Sequence, residues 1–465
     1  MLWIDTLNDI LWTWLVIPML VGCALWFTWQ LRGFQFRKLP HMLRLLFEST
    51  DTEKKDPSGK KTISSFHAFT VSLSSRIGTG NLAGVASAIF VGGAGAVFWM
   101  WVMALFGAAT AFAESTLAQL YKRRGEHSYF GGPAYYMKFG LKSPLLGTLF
   151  SVFLIITFGF ANQMMQSNQI CASVSDTFAW SPLGYAIILA LLTAIIIVGG
   201  IHRIAGFTAV VVPFMAFAYL ALTIYIIGSN IGSVPSALRL IVEEAFGVRQ
   251  AAGGAIGMAI LQGVKRGLFS NEAGEGSAPN AAAVAETSHP VRQGLVQALG
   301  VFTDTILVCT CTALIILLSG VHNEGTADGI LLTTRALETS FGTSARYFVS
   351  VTIFFFAYSS IIGNYYYGET AIRYLSHKKW VVSVYRVFTV VMVAIGGILT
   401  LTTIWSVIDL CMCTIVVLNV YALLRLSPIV ATLWNDYAEQ LHRGENPRFT
   451  RDKLGKDADG VEVWQ

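Results

Sequence analysis

"AILQGVKRGLFSNEAGEGSAP", residues 259–279, lies in the middle of a chain that is otherwise built for lipid. It begins as an apolar helix would, then sets Lys265, Arg266, Asn271, Glu272 and Glu275 among closely spaced glycines. A second stretch, "SLSSRIGTGNLAGVASAI" (residues 72–89), interrupts an apolar run in the same way, with Arg76, Gly78, Gly80 and Asn81 at its centre. Hydrocarbon cannot satisfy a freed backbone N–H or C=O, so a membrane helix breaks only where protein or a cavity does so. Both stretches therefore predict broken helices turned toward an interior site.

The rest of the chain supplies the membrane setting. Of 465 residues, 54% are hydrophobic and 13% charged, against about 25% charged in soluble domains. The mean hydropathy is +0.59, and apolar runs recur from end to end, which predicts an all-α polytopic membrane protein. The segment from Leu11 to Trp29 lacks a charged n-region and a small-residue cleavage site, so it reads as a retained span and not a signal peptide. Cys23, Cys171, Cys309, Cys311, Cys411 and Cys413 lie in or beside apolar runs, and neither C-x-C pair has the partners a zinc or iron-sulfur site needs. No cofactor is expected. Neither H-E-x-x-H nor G-x-S-x-G occurs, so the chain does not read as an enzyme.

A span needs about 20 mostly apolar residues. With that ruler eleven segments are expected: 8–31, 66–95, 96–121, 145–172, 183–200, 204–228, 250–288, 290–320, 345–375, 380–402 and 403–425. The basic residues test the alternation of sides. Arg32, Arg37, Lys38, Arg44, Lys54, Lys55, Lys60 and Lys61 share one side with Lys122, Arg123, Arg124, Lys138, Lys142, Arg203, Arg292, Arg373, Lys378 and Lys379. The opposite side holds Arg239, Arg249, Arg335 and Arg346. The expectation is a multi-pass protein of the plasma membrane with its N-terminus outside and its C-terminus cytoplasmic. Topology accounts for the net charge of +5, and nucleic-acid binding is set aside.

With 1–31 counted as an extra N-terminal helix, and 32–65 as a cytoplasmic basic loop, 66–228 and 250–425 each contain five spans and each begin with a broken one. The piece 229–249 connects them outside, and 426–465 is a cytoplasmic tail. An odd number of spans forces the second set to enter from the opposite side, giving a 5+5 inverted repeat. Glycine-interrupted spans at matching positions of two inverted halves point to a transporter site at the bilayer midplane. Freed amides favour a carboxylate and freed carbonyls a cation or ammonium, so a neutral amino acid would satisfy both ends. A single glycine break more often marks close helix packing; matching positions and embedded polar groups favour binding. "GTGNLAG" is not a dinucleotide fingerprint, because its glycines run G-x-G-x-x-x-G with no βαβ pattern around them.

Two further runs carry chemistry. Ser359 and Ser360 in "TIFFFAYSSIIGN" (352–364) either bond back to their own helix or face broken-helix carbonyls as a hard-oxygen site for sodium. In "FANQMMQSNQI" (160–170), Asn162 and Gln166 share a helix face, while Gln163, Asn168 and Gln169 offer further amides that line the bundle or join helices.

"GGAGAVFWMWVMALFG" (92–107) together with "GVKRGLFSNEAGEGSAP" (263–279) closely resembles the alanine or glycine:cation symporter family. "GTGNLAGVA", "GGPAYYM" (131–137), "HPVRQG" (289–294) and "YYYGE" (365–369) extend the likeness over nearly the whole chain. The resemblance implies sodium- or proton-coupled uptake of small neutral amino acids on a leucine-transporter-type fold with one extra N-terminal helix. It also implies a substrate carboxylate at Thr79 and Gly80 with Asn81 close by, an amine at a break near Gln262 and Gly263, and Gln166 lining the pocket. Sodium, the coupling ion, would sit among oxygens at Ser74, Ile77, Ser359 and Ser360.

Many alanine-transporting members carry a tryptophan where this chain has Asn364. An asparagine there opens space and offers a donor and an acceptor, which suits a longer polar side chain such as glutamine. The charges Lys265, Arg266 and Glu272 are expected to follow the second break and line an inward vestibule, with Lys265 or Arg266 paired to Glu272 and Arg76, beside "GTGN", joining that network. An ion channel is the alternative, with the polar breaks as filter or gate loops; it should carry a filter for an oligomeric pore, which is not found. The residues do not set an oligomeric state.

Overall fold

The computed structural model of the chain describes residues 2–48, 62–125, 128–247, 253–325 and 328–464. Lys54, Lys55, Lys60, Lys61, Arg249 and the first residues of the expected 250–288 span lie outside them. Short turns aside, the helices in chain order are α1 (Ile4–Gln30), α2 (Leu39–Phe47), α3 (Ser65–Arg76), α4 (Gly80–Gly92), α5 (Gly95–Leu120), α6 (Pro144–Phe178), α7 (Pro182–Ile197) and α8 (Gly200–Ser229). Then come α9 (Val234–Ala245), α10 (Gly253–Asn271), α11 (Pro290–Ser319), α12 (Ile330–Phe341), α13 (Ser344–Leu375), α14 (Lys379–Gly396) and α15 (Leu401–His442). The one strand pair described is a two-residue ribbon, with Arg123 opposite Phe130.

Among the described residues, α1, α5, α6, α8, α11, α13, α14 and α15 are the eight helices long and apolar enough to cross a membrane. α7 and α4 are apolar but shorter. The protein is thus an all-helical polytopic membrane protein. Its lipid-facing surface shows in side chains such as Val210, Phe214 and Phe217 on α8, each more than 60% exposed, while α5 is buried over most of its length.

Prolines and caps set the helix starts where the sequence provides them. α7 and α11 begin with Pro182 and Pro290, which have no N–H to leave unpaired. The His289 imidazole accepts from Val291 N at 3.2 Å, and Ser64 Oγ accepts from His67 N at 3.2 Å at the start of α3. Small residues let helices approach closely: a Cβ on Gly294 of α11 would come within 2.1 Å of Thr116 Oγ1 on α5.

Both long polar segments are broken. The first is α3 followed by α4, parted at Ile77–Gly78. The second differs from expectation in position: α10 runs unbroken through Gln262 and Gly263 to Asn271, and the break spans 272–278. The reason lies in the conformations demanded there. Glu272, Gly274 and Gly276 all have positive φ (58°, 92° and 83°), a region that glycine enters freely and other residues avoid. Gly263 serves packing instead, since a Cβ on it would lie 2.5 Å from Ala96 O on α5.

Candidate functional site

At the first break, α3 ends on carbonyls and α4 begins on amides, and polar side chains from α4, α6 and α13 meet both. Gly78 N donates to Asn81 Oδ1 at 2.9 Å, and Thr79 N donates to Gln166 Oε1 on α6 at 3.1 Å. Ser360 Oγ on α13 lies 2.8 Å from Ser74 O, 3.4 Å from Ile77 O and 3.1 Å from Phe356 O. Gly78 is what permits this approach: a Cβ there would lie 2.1 Å from Ser360 Oγ and 2.9 Å from Gln166 Oε1. Thr79, Gly80, Asn81, Gln166 and Ser360 are all buried.

The structure separates the two serines. Ser359 Oγ donates to Phe356 O in its own helix at 2.9 Å and faces Met215 Sδ on α8. Of the amides on α6, Gln166 is the one that meets the break. Gln163 Nε2 donates to Ile361 O, Asn168 Nδ2 to Leu399 O, and Gln169 Oε1 accepts from Ile330 N. Those three tie helices together. A π-helical turn at Ile155–Ala161 precedes them and rotates the face that follows.

The second break joins the first through side chains. Glu272, at 2% exposure, accepts from Ser277 Oγ at 2.6 Å and from Ser75 Oγ on α3. Ser75 Oγ also touches Asn364 Oδ1 on α13. A hydroxyl has one proton, so both contacts are satisfied together only with the Asn364 amide turned to donate or the Glu272 carboxyl protonated. Gly80 packs on Ser270 and Phe269 of α10, where a Cβ would lie 3.1 Å from Ser270 Cα. The first break is therefore in direct contact with the second break and the helical turn that leads into it.

Asp304, on α11, is a residue that sequence reasoning missed. It is fully buried, and its carboxylate accepts from Asn81 Nδ2 at 2.7 Å, Ser270 Oγ at 2.6 Å and Thr305 Oγ1 at 2.8 Å. It thus bridges the α4 end of one break to the last turn of α10. A lone acid in the apolar run "GVFTDTILVC" was the available signal. Glu114 on α5, which the sequence does mark as an acid within a span, accepts from Asn419 Nδ2 on α15 at 2.9 Å, and Asn419 Nδ2 also donates to Gly274 O at 3.0 Å.

The expected vestibule pairing is corrected. Lys265 and Arg266 precede the second break and do not pair with Glu272. Arg266 makes two 3.2 Å contacts with the Asp409 carboxylate on α15, and Lys265 Nζ lies 3.5 Å from Asp409 and 3.2 Å from Asp9 on α1. Their place on α10 aims them at α1 and α15, on the side of the break that holds the start of both helices. Arg76 does not join them: its Nη1 donates to Gln297 O at 3.1 Å, and its Nε and Nη2 have no hydrogen-bond partner among the described residues.

Such an arrangement offers backbone amides, backbone carbonyls and one hydroxyl around a single break, with buried carboxylates beside them. It suits a zwitterion and a small cation. A sequence profile of the sodium:alanine symporter family matches residues 1–451. The chain is 43% identical over 457 residues to the probable sodium/glutamine symporter GlnT of Bacillus subtilis, covering 98% of this chain and 94% of that one. It is 42% identical to the amino-acid carrier protein AlsT of the same organism, over 98% and 96% of the two chains. Against the sodium/alanine symporter AgcS of Methanococcus maripaludis it is 38% identical, over 92% and 95%. The chain belongs to the sodium:alanine symporter family, and sodium-coupled amino acid symport, not ion conduction, is its class of function.

Proposed function

We propose that the chain imports a neutral amino acid, glutamine in preference to alanine or glycine, together with sodium across the plasma membrane by alternating access. The observation that carries this reading is the first break, where the Gly78 and Thr79 amides and the Ser74 and Ile77 carbonyls all meet polar side chains within 3.4 Å. A substrate carboxylate would take the position of Gln166 Oε1 on the Thr79 amide, beside Gly80 and Asn81. The amine would meet carbonyls in the last turn of α10 at Phe269 and Ser270, because Gly80 packs on those residues; Gln262 and Gly263 lie too far before the break for that role. Eleven spans complete the reading: the eight long helices, α7, the α3–α4 pair, and α10 with its break. They divide as an extra N-terminal helix and a 5+5 inverted repeat, N-terminus outside and C-terminus cytoplasmic.

Sodium would lie among Ser74 O, Ile77 O and Ser360 Oγ. Ser360→Ala is expected to raise the sodium concentration for half-maximal uptake roughly five- to tenfold, the value of about 1–1.5 kcal/mol for one hydroxyl contact. Ser359→Ala, whose hydroxyl serves its own helix, should leave it within about twofold. Equal effects of the two variants in sodium-titrated uptake would remove Ser360 from the ion site.

Asn364 supports the glutamine preference, as does the name of the GlnT relative. Asn364→Trp should put a larger, apolar ring where the amide meets Ser75 and shift selectivity toward alanine by about tenfold or more. Unchanged ratios in a competition uptake assay would reject that assignment. The test of the whole proposal is uptake of labelled alanine, glycine and glutamine into proteoliposomes under imposed sodium or proton gradients. Glutamine should accumulate with the sodium gradient; no gradient-driven accumulation of any of the three would overturn it.

A further inference from the structure

Two hydrogen-bond chains lead outward from the Asp304 carboxylate, and each ends on a backbone N–H at one of the breaks. The first is one side chain long. Asn81 turns its Nδ2 to Asp304 Oδ1 at 2.7 Å and its Oδ1 to Gly78 N at 2.9 Å, in the first break. The second runs through Thr305, whose Oγ1 donates to Asp304 Oδ2 at 2.8 Å and accepts from Asn271 Nδ2 at 3.2 Å. Asn271 Oδ1 then accepts from Ala273 N at 3.0 Å, in the second break. Asn81, Asn271, Asp304 and Thr305 are all buried, and Ser270 Oγ, which also donates to Asp304 Oδ2, stands between the two chains.

The chemistry of their common origin fixes the direction of both chains. An ionised carboxylate accepts and has no proton to give. Asn81 must therefore present its Nδ2 to Asp304, which leaves its oxygen for Gly78. Thr305 has one proton and directs it to Asp304, so its oxygen accepts from Asn271, and the Asn271 oxygen is left for Ala273. A side chain without acceptors at 304 would release this constraint. Either amide could then turn over and set an NH2 group against a backbone N–H, leaving buried donors unpaired.

We infer that Asp304 is a positioning residue for transport: it sets the orientation of Asn81 and, through Thr305, of Asn271, and so holds both breaks in the form that receives substrate. Its effect on the amino acid passes through Asn81, beside which we place the substrate carboxylate, and this part rests on the first break being the substrate site. Its effect on the two backbone amides does not.

The test is hydrogen–deuterium exchange of the purified full chain, resolved to the Gly78 and Ala273 amides, with uptake measured alongside. Asp304→Leu, similar in shape and without an acceptor, should speed exchange at both amides about five- to tenfold, the worth of one hydrogen bond. Thr305→Val should speed exchange at Ala273 alone by that factor, and Thr305→Ser, which keeps the hydroxyl, should match wild type. In proteoliposomes Asp304→Leu should raise the amino-acid KM roughly tenfold, while the sodium concentration for half-maximal uptake at saturating amino acid stays within about twofold. Wild-type exchange at both amides in Asp304→Leu would overturn the inference, as would equal acceleration at Gly78 and Ala273 in Thr305→Val. If Asp304→Leu does not fold, the two Thr305 variants decide. A changed sodium requirement with an unchanged amino-acid KM would overturn it too, since Asp304 would then be an ion ligand. Absence of wild-type uptake would remove the substrate reading and leave amide exchange to decide the positioning role.

Discussion

Asp409→Ala is expected to destabilise the protein by about 3–5 kcal/mol, because it removes the shared partner of two buried cations. Lys265 is 3% exposed and Arg266 7%, and Asp409 at 8% is the only carboxylate that touches both among the described residues. The surroundings cannot replace it. The Arg266 guanidinium stacks 3.6 Å from the Trp405 ring centre, and Trp12 Nε1 donates to Asp409 O at 3.0 Å, so the cations sit among aromatic rings with little water to turn to. Asp9, also in contact with Lys265, is 62% exposed; Asp9→Ala should therefore cost no more than about 1 kcal/mol. Thermal melts of the detergent-purified variants measure the difference. Equal melting temperatures for the two would mean that Lys265 and Arg266 find other partners and that the cluster does not hold α1, α10 and α15 together.

Gly78→Ala is expected to reduce sodium-driven uptake by roughly ten- to a hundredfold, the equivalent of about 1–3 kcal/mol of overpacking at the break. The added methyl would lie 2.1 Å from Ser360 Oγ and 2.9 Å from Gln166 Oε1. Both groups must move to admit it, and both are the ones that meet the freed backbone groups at this point. Gly84, six residues on, is the control: a methyl there would find its nearest neighbour, Thr79 O, at 3.8 Å, ordinary contact distance. Gly84→Ala should then retain uptake within about twofold. Normal uptake by Gly78→Ala at wild-type expression in the membrane would separate the first break from transport.

The helical and apolar character of the chain was legible because it depends on contiguous residues. A run of apolar side chains has the same preference for lipid wherever it packs, and Gly78 with Gly80 marks a place where backbone can turn without a Cβ in the way. The position of the second break was less legible. Gly263, Gly267, Gly274 and Gly276 look alike in sequence, yet only the last two adopt positive φ; Gly263 sits against Ala96 of α5 and Gly267 against Met100. A glycine that admits a neighbouring helix and one that turns the chain differ only in what surrounds them.

Pairings across the chain were settled by the tertiary structure. Ser359 and Ser360 are adjacent and chemically identical, but the rotation of about 100° between successive helical residues sends one hydroxyl to the first break and the other toward Met215. Glu272 meets Ser75, 197 residues away, while Arg266 meets Asp409, 143 residues away. Sequence spacing carries no information about such contacts. By itself the sequence determined that this protein lives in lipid, where its apolar runs lie, and to which symporter family it bears likeness, because burial and backbone freedom are local properties. Which buried acid answers which cation was decided only when the helices packed, because charge pairing depends on distance in space.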